Sequence, residues 1–424
     1  MRLGHNNVAT EARSKVYYSP FIRAFMATLI VILSISCSRE SEPSEVSDFP
    51  EQFMEIENLI LISPDEGSVP DTVELIQEAV FESNEDVYIE GYISELAVDD
   101  SGRVYIAATI PGTVGIYVFE PDGGFIDKFA REGRGPGEYE SITSMQFSND
   151  TIYLFDARLQ KFGLYSSTSL SHLKDEVIKH DWITTTDSPA NLLRGWKLYS
   201  NKGESHILHM RKIGPKSSDI QTESLFKVSH DGHIQPNPLL TVDRFQFYYP
   251  PPSDRLELPF PMPFTRSSLV SFTKAGRIIT NWTEDFLIRI YNSDGEFQSA
   301  LYYPVESNSL DMREFEMNRH RERTLSQYEM PETWPAVHTM ELDNENRLWV
   351  ATITESDSTF LWYVIDLNGE LLAKFELTGR RTSRSVMSKP LIRIYNGYFY
   401  LREQDIRQGI DGIIKYRIEF GEGR

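Results

Sequence analysis

The sequence predicts an all-β chain folded as a six-bladed β-propeller of four-stranded antiparallel blades. Three observations carry this reading. A pattern of strand, polar turn, strand, strand and turn returns about every fifty residues. It is clearest in Leu96–Ala107 (LAVDDSGRVYIA) followed by Ile116–Gly123 (IYVFEPDG), and again in Met340–Ala351 (MELDNENRLWVA) followed by Trp362–Gly369 (WYVIDLNG). Apolar residues alternate within each unit, the period of a strand with two distinct faces. Tyr and Phe, at 21 and 24 residues, supply the bulky side chains that suit a pleated surface.

Six units follow in order. The first, 85–131, places Leu96, Val98, Val104 and Ile106 on two strands around an Asp99–Gly102 turn. The second, 139–178, has strands at 145–147, 152–155 and 162–165, and its Tyr153 occupies the place of Tyr105. The third, 180–242, is blurred. Strands are expected near 196–199, 206–210 and 225–229, with 214–223 as an insertion or long turn. A proline-rich passage over 249–263 reads as ordered loop, because proline fixes φ and removes a ladder donor. The fourth unit is 267–304. Residues 307–330 lose the strand pattern and read as a helical or irregular insertion. The fifth and sixth units are 336–378 and 388–420. A ring needs its ends joined, so Phe53–Ile62 or Val73–Val80 is expected to supply the missing strand and cover the open edges. A pair of β-sandwich domains fits the regular spacing less well.

The N-terminus is a separate matter. Phe25–Ser36 is a short apolar run with Arg23 just ahead of it and Arg13 and Lys15 upstream. It reads as an export signal, too short to span a bilayer that needs about 20 apolar residues. The run ends at Cys37, the chain's one cysteine, and resembles a bacterial lipoprotein signal, although Leu33 stands at minus four. The expected organisation is a signal peptide over 1–36, a lipidated Cys37 with a flexible tether over 37–52, and the propeller over 53–424. With one cysteine, no intrachain disulfide can form.

The formal charge is -21, and loss of the leader would take it to -24. Such a surface repels nucleic-acid backbones, and no basic stripe offsets it, so no nucleic acid is expected as a partner.

Gly133–Tyr139 (GRGPGEY), together with the Leu96–Tyr105 segment, resembles the blade-introducing loop of the six-bladed propeller lipoproteins of Bacteroidetes and related bacteria. These are similar to NHL-repeat proteins. The resemblance spans roughly residues 55–420 and is weakest at 180–265. It implies the fold and a lipid-anchored envelope location, at the outer membrane facing periplasm or cell surface. It also brings two function classes, because NHL relatives bind proteins or RNA and some are lyases or hydrolases with a metal in the central channel.

The candidate residues each carry two readings. GRGPG lacks the Lys-Ser/Thr of a phosphate loop, so its glycines read as an interblade turn. Arg134 and Glu138 either face a ligand at the propeller mouth or pair across that turn. Asp156 and Arg158 follow a strand and sit near a rim, where Asp156 also suits a turn anchor. Trp282 and Trp334 lie near loops, placed for sugar stacking or for the core. His206, His209, His230 and His233 form the histidine cluster. Residues three apart on a strand face opposite sides, so a zinc, nickel or copper site would need one member of each pair, with Asp231. Asp99 and Asp343 open short acidic turns without EF-hand spacing, and backbone capping suits them better than a structural calcium. No Gly-x-Ser-x-Gly elbow occurs. The expected function is therefore a membrane-tethered, non-catalytic binding module without a cofactor, for a glycan, peptide or envelope protein. The alternatives are a metal-dependent lyase or hydrolase with its site in the channel, and a scaffold subunit of an envelope complex.

Overall fold

The computed structural model describes residues 49–65, 68–179, 192–200, 205–213, 221–248, 260–310, 330–379, 390–405 and 410–421. The chain divides into two units, Met1–Pro50 and Glu51–Arg424. The expected leader and Cys37 fall outside the described residues, as does the core of the expected insertion, 311–329. Among the described residues no helix is long and apolar enough to cross a membrane.

The second unit is a six-bladed propeller. Blade 1 comprises Tyr92–Val98, Val104–Ile110, Thr113–Phe119 and Phe125–Phe129. Blade 2 comprises Ser144–Ser148, Thr151–Asp156, Lys161–Ser166 and His172–Val177. Blade 3 comprises Leu192–Ser200, Ser205–Ile213, Gln221–Ser229 and Leu240–Arg244. Blade 4 is Ser268–Phe272, Ile278–Trp282, Leu287–Tyr291 and Phe297–Tyr302, and blade 5 is Val337–Leu342, Leu348–Ile353, Thr359–Ile365 and Leu371–Thr378. Blade 6 takes Ile392–Tyr395, Tyr398–Asp405 and Ile410–Gly421 from the C-terminal end and Thr72–Phe81 from the N-terminal end. The first strand of each blade lines the central channel.

The sequence left two candidates for the closing strand, and the structure uses both. Thr72–Phe81 pairs antiparallel with Ile410–Gly421 and shuts the ring. Leu59–Leu61 pairs parallel with Phe297–Tyr302, making blade 4 five-stranded. Thr72–Phe81 thereby completes blade 6, and Leu59–Leu61 covers the outer edge of blade 4. Two corrections concern blade 3 and its exit. Its third strand begins at Gln221, so Glu223 is a strand residue, not part of a turn. Phe260–Pro261 pairs with Phe247–Tyr248 as a two-stranded ribbon, an edge position where proline's missing N–H costs no ladder bond.

The repeated turn is held by one carboxylate. Asp99 accepts bonds from the backbone N–H of Ser101 and Arg103, from Arg103 Nε and from the Tyr105 hydroxyl. Asp343 does the same for Glu345, Arg347 and the Trp349 indole. The capping reading of both aspartates holds, and Trp349 matches Tyr105. The last turn residue needs positive φ: Gly102 adopts 85° and Asn346, its counterpart, 65°.

Each blade buries alternate residues against its two neighbours. Between blades 5 and 6 the core gathers Trp334, Trp349, Trp362, Phe360, Phe375 and Phe399. Blades 4 and 5, 6 and 1, 1 and 2, and 2 and 3 are sealed by comparable clusters. Blades 3 and 4 differ: among the described residues their buried cluster is Ile207, Leu225 and Ile278, with Tyr199, Leu239, Leu240, Val270, Phe272 and Tyr291 partly buried against it.

Candidate functional site

The channel encloses a cavity of about 1470 Å³. Its two mouths carry different groups. The turns that end the innermost strands gather at one mouth, where Asn344 bonds Asn396, Tyr395 bonds Asp100, and Lys274 lies 5.5 Å from the Tyr395 ring centre. That end carries Asp99, Asp100, Asp150 and Asp343, of which Asp99 is paired with Arg103 and Asp343 with Arg347. The opposite mouth carries Arg158 and Arg194, joined by an Arg194 Nη2 bond to the Arg158 carbonyl at 3.1 Å. Between them Lys197 reaches from blade 3 to Glu95 of blade 1 at 2.8 Å, passing over blade 2 and narrowing the channel. Desolvation works against the Lys197 ammonium, but Glu95, Tyr199 and Glu341 outweigh it and raise its pKa.

The cavity extends sideways between blades 3 and 4, and strand periodicity explains what lines it. On the second strand of blade 3, Ile207, His209 and Arg211 share one face, and cross-strand register places Lys227, Leu225 and Glu223 beside them. His209, Arg211, Glu223 and Arg244 all border the cavity. Glu223 is the hub. Its Oε2 lies 2.7 Å from His209 Nε2, and its Oε1 lies 2.7 Å from Arg211 Nε and 2.9 Å from Arg244 Nε. Burial alone would raise the Glu223 pKa. The His209 hydrogen bond and the charges of His209, Arg211 and Arg244 prevail and hold it at about 2. Burial takes Arg211 down to about 10, partly offset by Glu223, so it stays charged at neutral pH. Each guanidinium also rests against an aromatic ring: Arg211 on Trp196 at 3.8 Å and Arg244 on Phe245 at 4.6 Å. Trp196 reaches this position because a bulge at Gly195/Lys197 lets the strand slip by one residue.

The residues singled out from sequence are dispersed. Arg134 is exposed and pairs with Glu140 at 2.5 Å. Glu138 pairs instead with Arg131 at 2.9 Å and accepts the Gly135 N–H, which lowers its pKa. The turn reading of GRGPG thus stands with different partners. Asp156 is fully buried and accepts the N–H groups of Glu140, Ser141, Arg158 and Leu159, so its carboxylate anchors two turns. Arg158 does border the channel. Trp334 is core, edge-on to Phe264 at 5.3 Å, and Trp282 is half-buried at the end of a blade 4 strand.

His206 and His209 face opposite sides, as their spacing predicts. His206 is fully buried toward blade 2, against Tyr153 and Phe162, and its Nε2 meets His230 Nδ1 at 2.9 Å. Desolvation, with the charges of His230 and Lys174, lowers its pKa to about 4. One member of each pair therefore does meet the other. Asp231 turns away to Ser229 and to His233, whose Nε2 lies 3.6 Å off. Among the described residues no three His, Cys, Asp or Glu side chains come together as a metal site. The cluster around Glu223 was missed from sequence. The i, i+2 pair His209 and Arg211 was its one visible sign, and the Arg211–Glu223 register could not be read across the long connection between their strands.

The family model described as DUF5128, 6-bladed beta-propeller, matches residues 69–233. No curated protein matches this chain. Among solved structures the chain is similar to an exported protein from Bacteroides fragilis, at 12% identity over 86% of this chain and 100% of that one, with a TM-score of 0.48. It is similar to a member of the duf4221 family from Bacteroides vulgatus, at 10% identity over 84% of this chain and 100% of that one, with a TM-score of 0.49. It is also similar to regucalcin, a calcium-binding protein from Agrobacterium tumefaciens, at 9% identity over 87% and 97% of the two chains, with a TM-score of 0.41.

Proposed function

We propose that the protein is an extracytoplasmic binding module, tethered through Cys37, whose site is the channel and its side cleft between blades 3 and 4. The supporting observation is the cleft itself. Among the described residues, five interblade seams hold large apolar clusters, and at the sixth a smaller apolar cluster adjoins ionised side chains that border the cavity. Buried ion clusters are costly to stability, so a seam that keeps one is expected to have another use. The tether reading rests on the apolar run before Cys37. The ligand class expected at an envelope is a glycan, a peptide or a partner protein segment.

Purification from the cell envelope followed by mass spectrometry of retained small molecules tests the site. Ser268→Trp, which fills the cleft from the blade 4 side, should lose what the native protein retains. Equal retention by both would place the site elsewhere. Radiolabelled palmitate should enter the native protein and not Cys37→Ser, and the unlabelled variant should become soluble. Equal labelling of the two would remove the tether.

A further inference from the structure

We infer that Trp196 and the Glu95–Lys197 ion pair bind a neutral pyranose ring in the cavity. This rests on the reading of the channel and its cleft as a binding site and names the chemistry of what enters it. The argument begins with the backbone. The innermost strands of blades 1, 3 and 5 each slip register by one residue, between Ile93 and Glu95, Gly195 and Lys197, and Val337 and Thr339. Those of blades 2, 4 and 6 pair without a slip. Bulges re-aim side chains and recur beside active sites. At the blade 1 bulge, Ser94 bonds the Ala107 and Ile142 carbonyls. At the blade 5 bulge, His338 stacks on Phe360 of the same blade. At the blade 3 bulge, Trp196 borders the cavity.

The second step is the pair of side chains that the blade 3 bulge presents. Neighbouring residues of a regular strand point to opposite faces. Here Trp196 lies on Arg211, and Lys197 sits opposite His209 in the register, so both take the face of His209 and Arg211. An indole and an ammonium thus stand side by side on one cavity wall. The backbone that carries them is held from blade 2. Gln160 accepts the Gly195 N–H at 2.8 Å and donates to the Gly195 carbonyl at 2.9 Å, and Ser144 Oγ accepts the Leu198 N–H at 2.9 Å. Arg211 holds the indole from one side. A platform fixed in this way loses little freedom when a ligand docks.

The third step is the chemistry. A pyranose has a C–H face and a rim of hydroxyls. The face packs against an indole, which offers a large, rigid apolar surface. Each hydroxyl both donates and accepts, so adjacent hydroxyls accept from Lys197 and donate to Glu95, whose charged atoms lie 2.8 Å apart. The two charges cancel. An anion drawn to Lys197 meets Glu95, and a cation drawn to Glu95 meets Lys197. The ring is therefore neutral. Among the described tryptophans, Trp282, Trp334, Trp349 and Trp362 do not border the cavity. Sugar stacking, expected from sequence at Trp282 or Trp334, thus falls to Trp196.

Titration calorimetry of the full chain with D-glucose, D-galactose and D-mannose, free and as methyl β-glycosides, tests this. At least one should bind, and the tighter form tells whether a free sugar or a glycan end is the source. Its uronic acid and its 2-amino sugar should bind at least about tenfold more weakly. Affinity for the neutral sugar should change by less than about twofold between low and physiological salt. Trp196→Ala should weaken it by at least about tenfold. The double variant Glu95→Leu, Lys197→Met leaves no charge unpaired and should weaken it by at least about tenfold as well. Trp282→Phe alters a tryptophan away from the cavity and should leave binding unchanged. Melting curves show whether each variant is folded. Native affinity in folded Trp196→Ala or in the folded double variant would overturn the assignment, as would a charged sugar that binds as tightly as its neutral parent. If no sugar binds and Ser268→Trp loses the envelope molecules that the native protein retains, this inference falls and the cleft remains a binding site. If no sugar binds and Ser268→Trp retains them, both readings fall.

Discussion

The seams between blades 5 and 6 and between blades 3 and 4 use the same strand positions, and fill them with apolar side chains in the one and with apolar and ionised side chains in the other. On the second strand of blade 5, Trp349, Ala351 and Ile353 face the next blade, paired with Val364, Trp362 and Phe360. On the second strand of blade 3, Ile207, His209 and Arg211 face the next blade, paired with Lys227, Leu225 and Glu223. Among the described residues, one seam holds 14 buried apolar residues and the other holds three, with Tyr199, Val270, Phe272 and others partly buried beside them. The first also borders the blade closed by Thr72–Phe81. The contrast teaches where a propeller can house a site. A closed ring shares its stability over six seams, so five well-packed ones tolerate a sixth that mixes apolar and ionised groups.

The contrast is tested most severely at its apolar extreme. Trp349→Ala removes a fully buried indole and one of the bonds to Asp343, which holds the neighbouring turn. The expected loss is about 5 kcal/mol, from about 4 for the buried side chain and about 1 for the hydrogen bond. Urea unfolding would measure it, and a loss under about 2 kcal/mol would show that this seam is not the firm one.

At the polar extreme the expected sign depends on how many groups are removed. Glu223→Ala alone leaves Arg211, Arg244 and His209 buried together and should cost about 4 kcal/mol. The triple variant Arg211→Met, Glu223→Leu, Arg244→Met removes the whole cluster and should be neutral or more stable than the native protein. If the triple variant is as damaged as the single one, the cluster serves the fold, and the argument that it is kept for binding fails.

Acid separates the seams by pH. His206, at the seam of blades 2 and 3, stays neutral in the folded protein down to about pH 4, while the unfolded chain takes up its proton near 6.5. The unfolded state therefore binds more protons between those values. Stability from this group is complete above pH 6.5 and falls by about 3 kcal/mol as the pH drops to 4. Glu223, with its pKa at about 2 against an ordinary 4.5, gives a contribution that is complete above pH 4.5 and is lost toward pH 2. His206→Phe should flatten the stability profile between pH 6.5 and 4 and leave the lower window unchanged. An unchanged slope in the upper window would remove His206 as its source.

These cases also show what was legible in the sequence. The blades were, because alternation and the Asp-x-x-x-Arg-x-Tyr/Trp turn are local: Asp99 and Asp343 bond residues no more than six positions away. The opposite facing of His206 and His209 was legible for the same reason. The ionic cluster was not. Arg211, Glu223 and Arg244 come from three strands, and their meeting depends on register set by turns of unpredictable length. The Lys197–Glu95 pair was further out of reach, since it joins residues 102 apart across the channel. Asp156 and Trp334 were noticed for their residue type near a rim. That signal does not separate a group facing solvent from one whose bonds are all taken by its own fold.

The smallest effect sharpens the comparison because it holds residue chemistry constant. Leu225 and Leu301 are both fully buried, the first at the seam of blades 3 and 4 and the second at that of blades 4 and 5. Truncation to alanine removes the same transfer energy from each. What remains is the cost of the space left behind, which depends on how far the surroundings relax. Around Leu301 the neighbours are Ile288, Ile290, Val350 and other apolar side chains, and an emptied site there stays a dry void. Around Leu225 the buried cluster is smaller, and Glu223, two positions away on the same face, borders the cavity, so water or side chains are expected to enter an emptied site. Leu301→Ala should cost about 4 kcal/mol and Leu225→Ala about 2, the two ends of the range for this substitution. Equal costs in urea unfolding would mean that the seam of blades 3 and 4 is as tightly sealed as the others, and the cleft would no longer be open to a ligand.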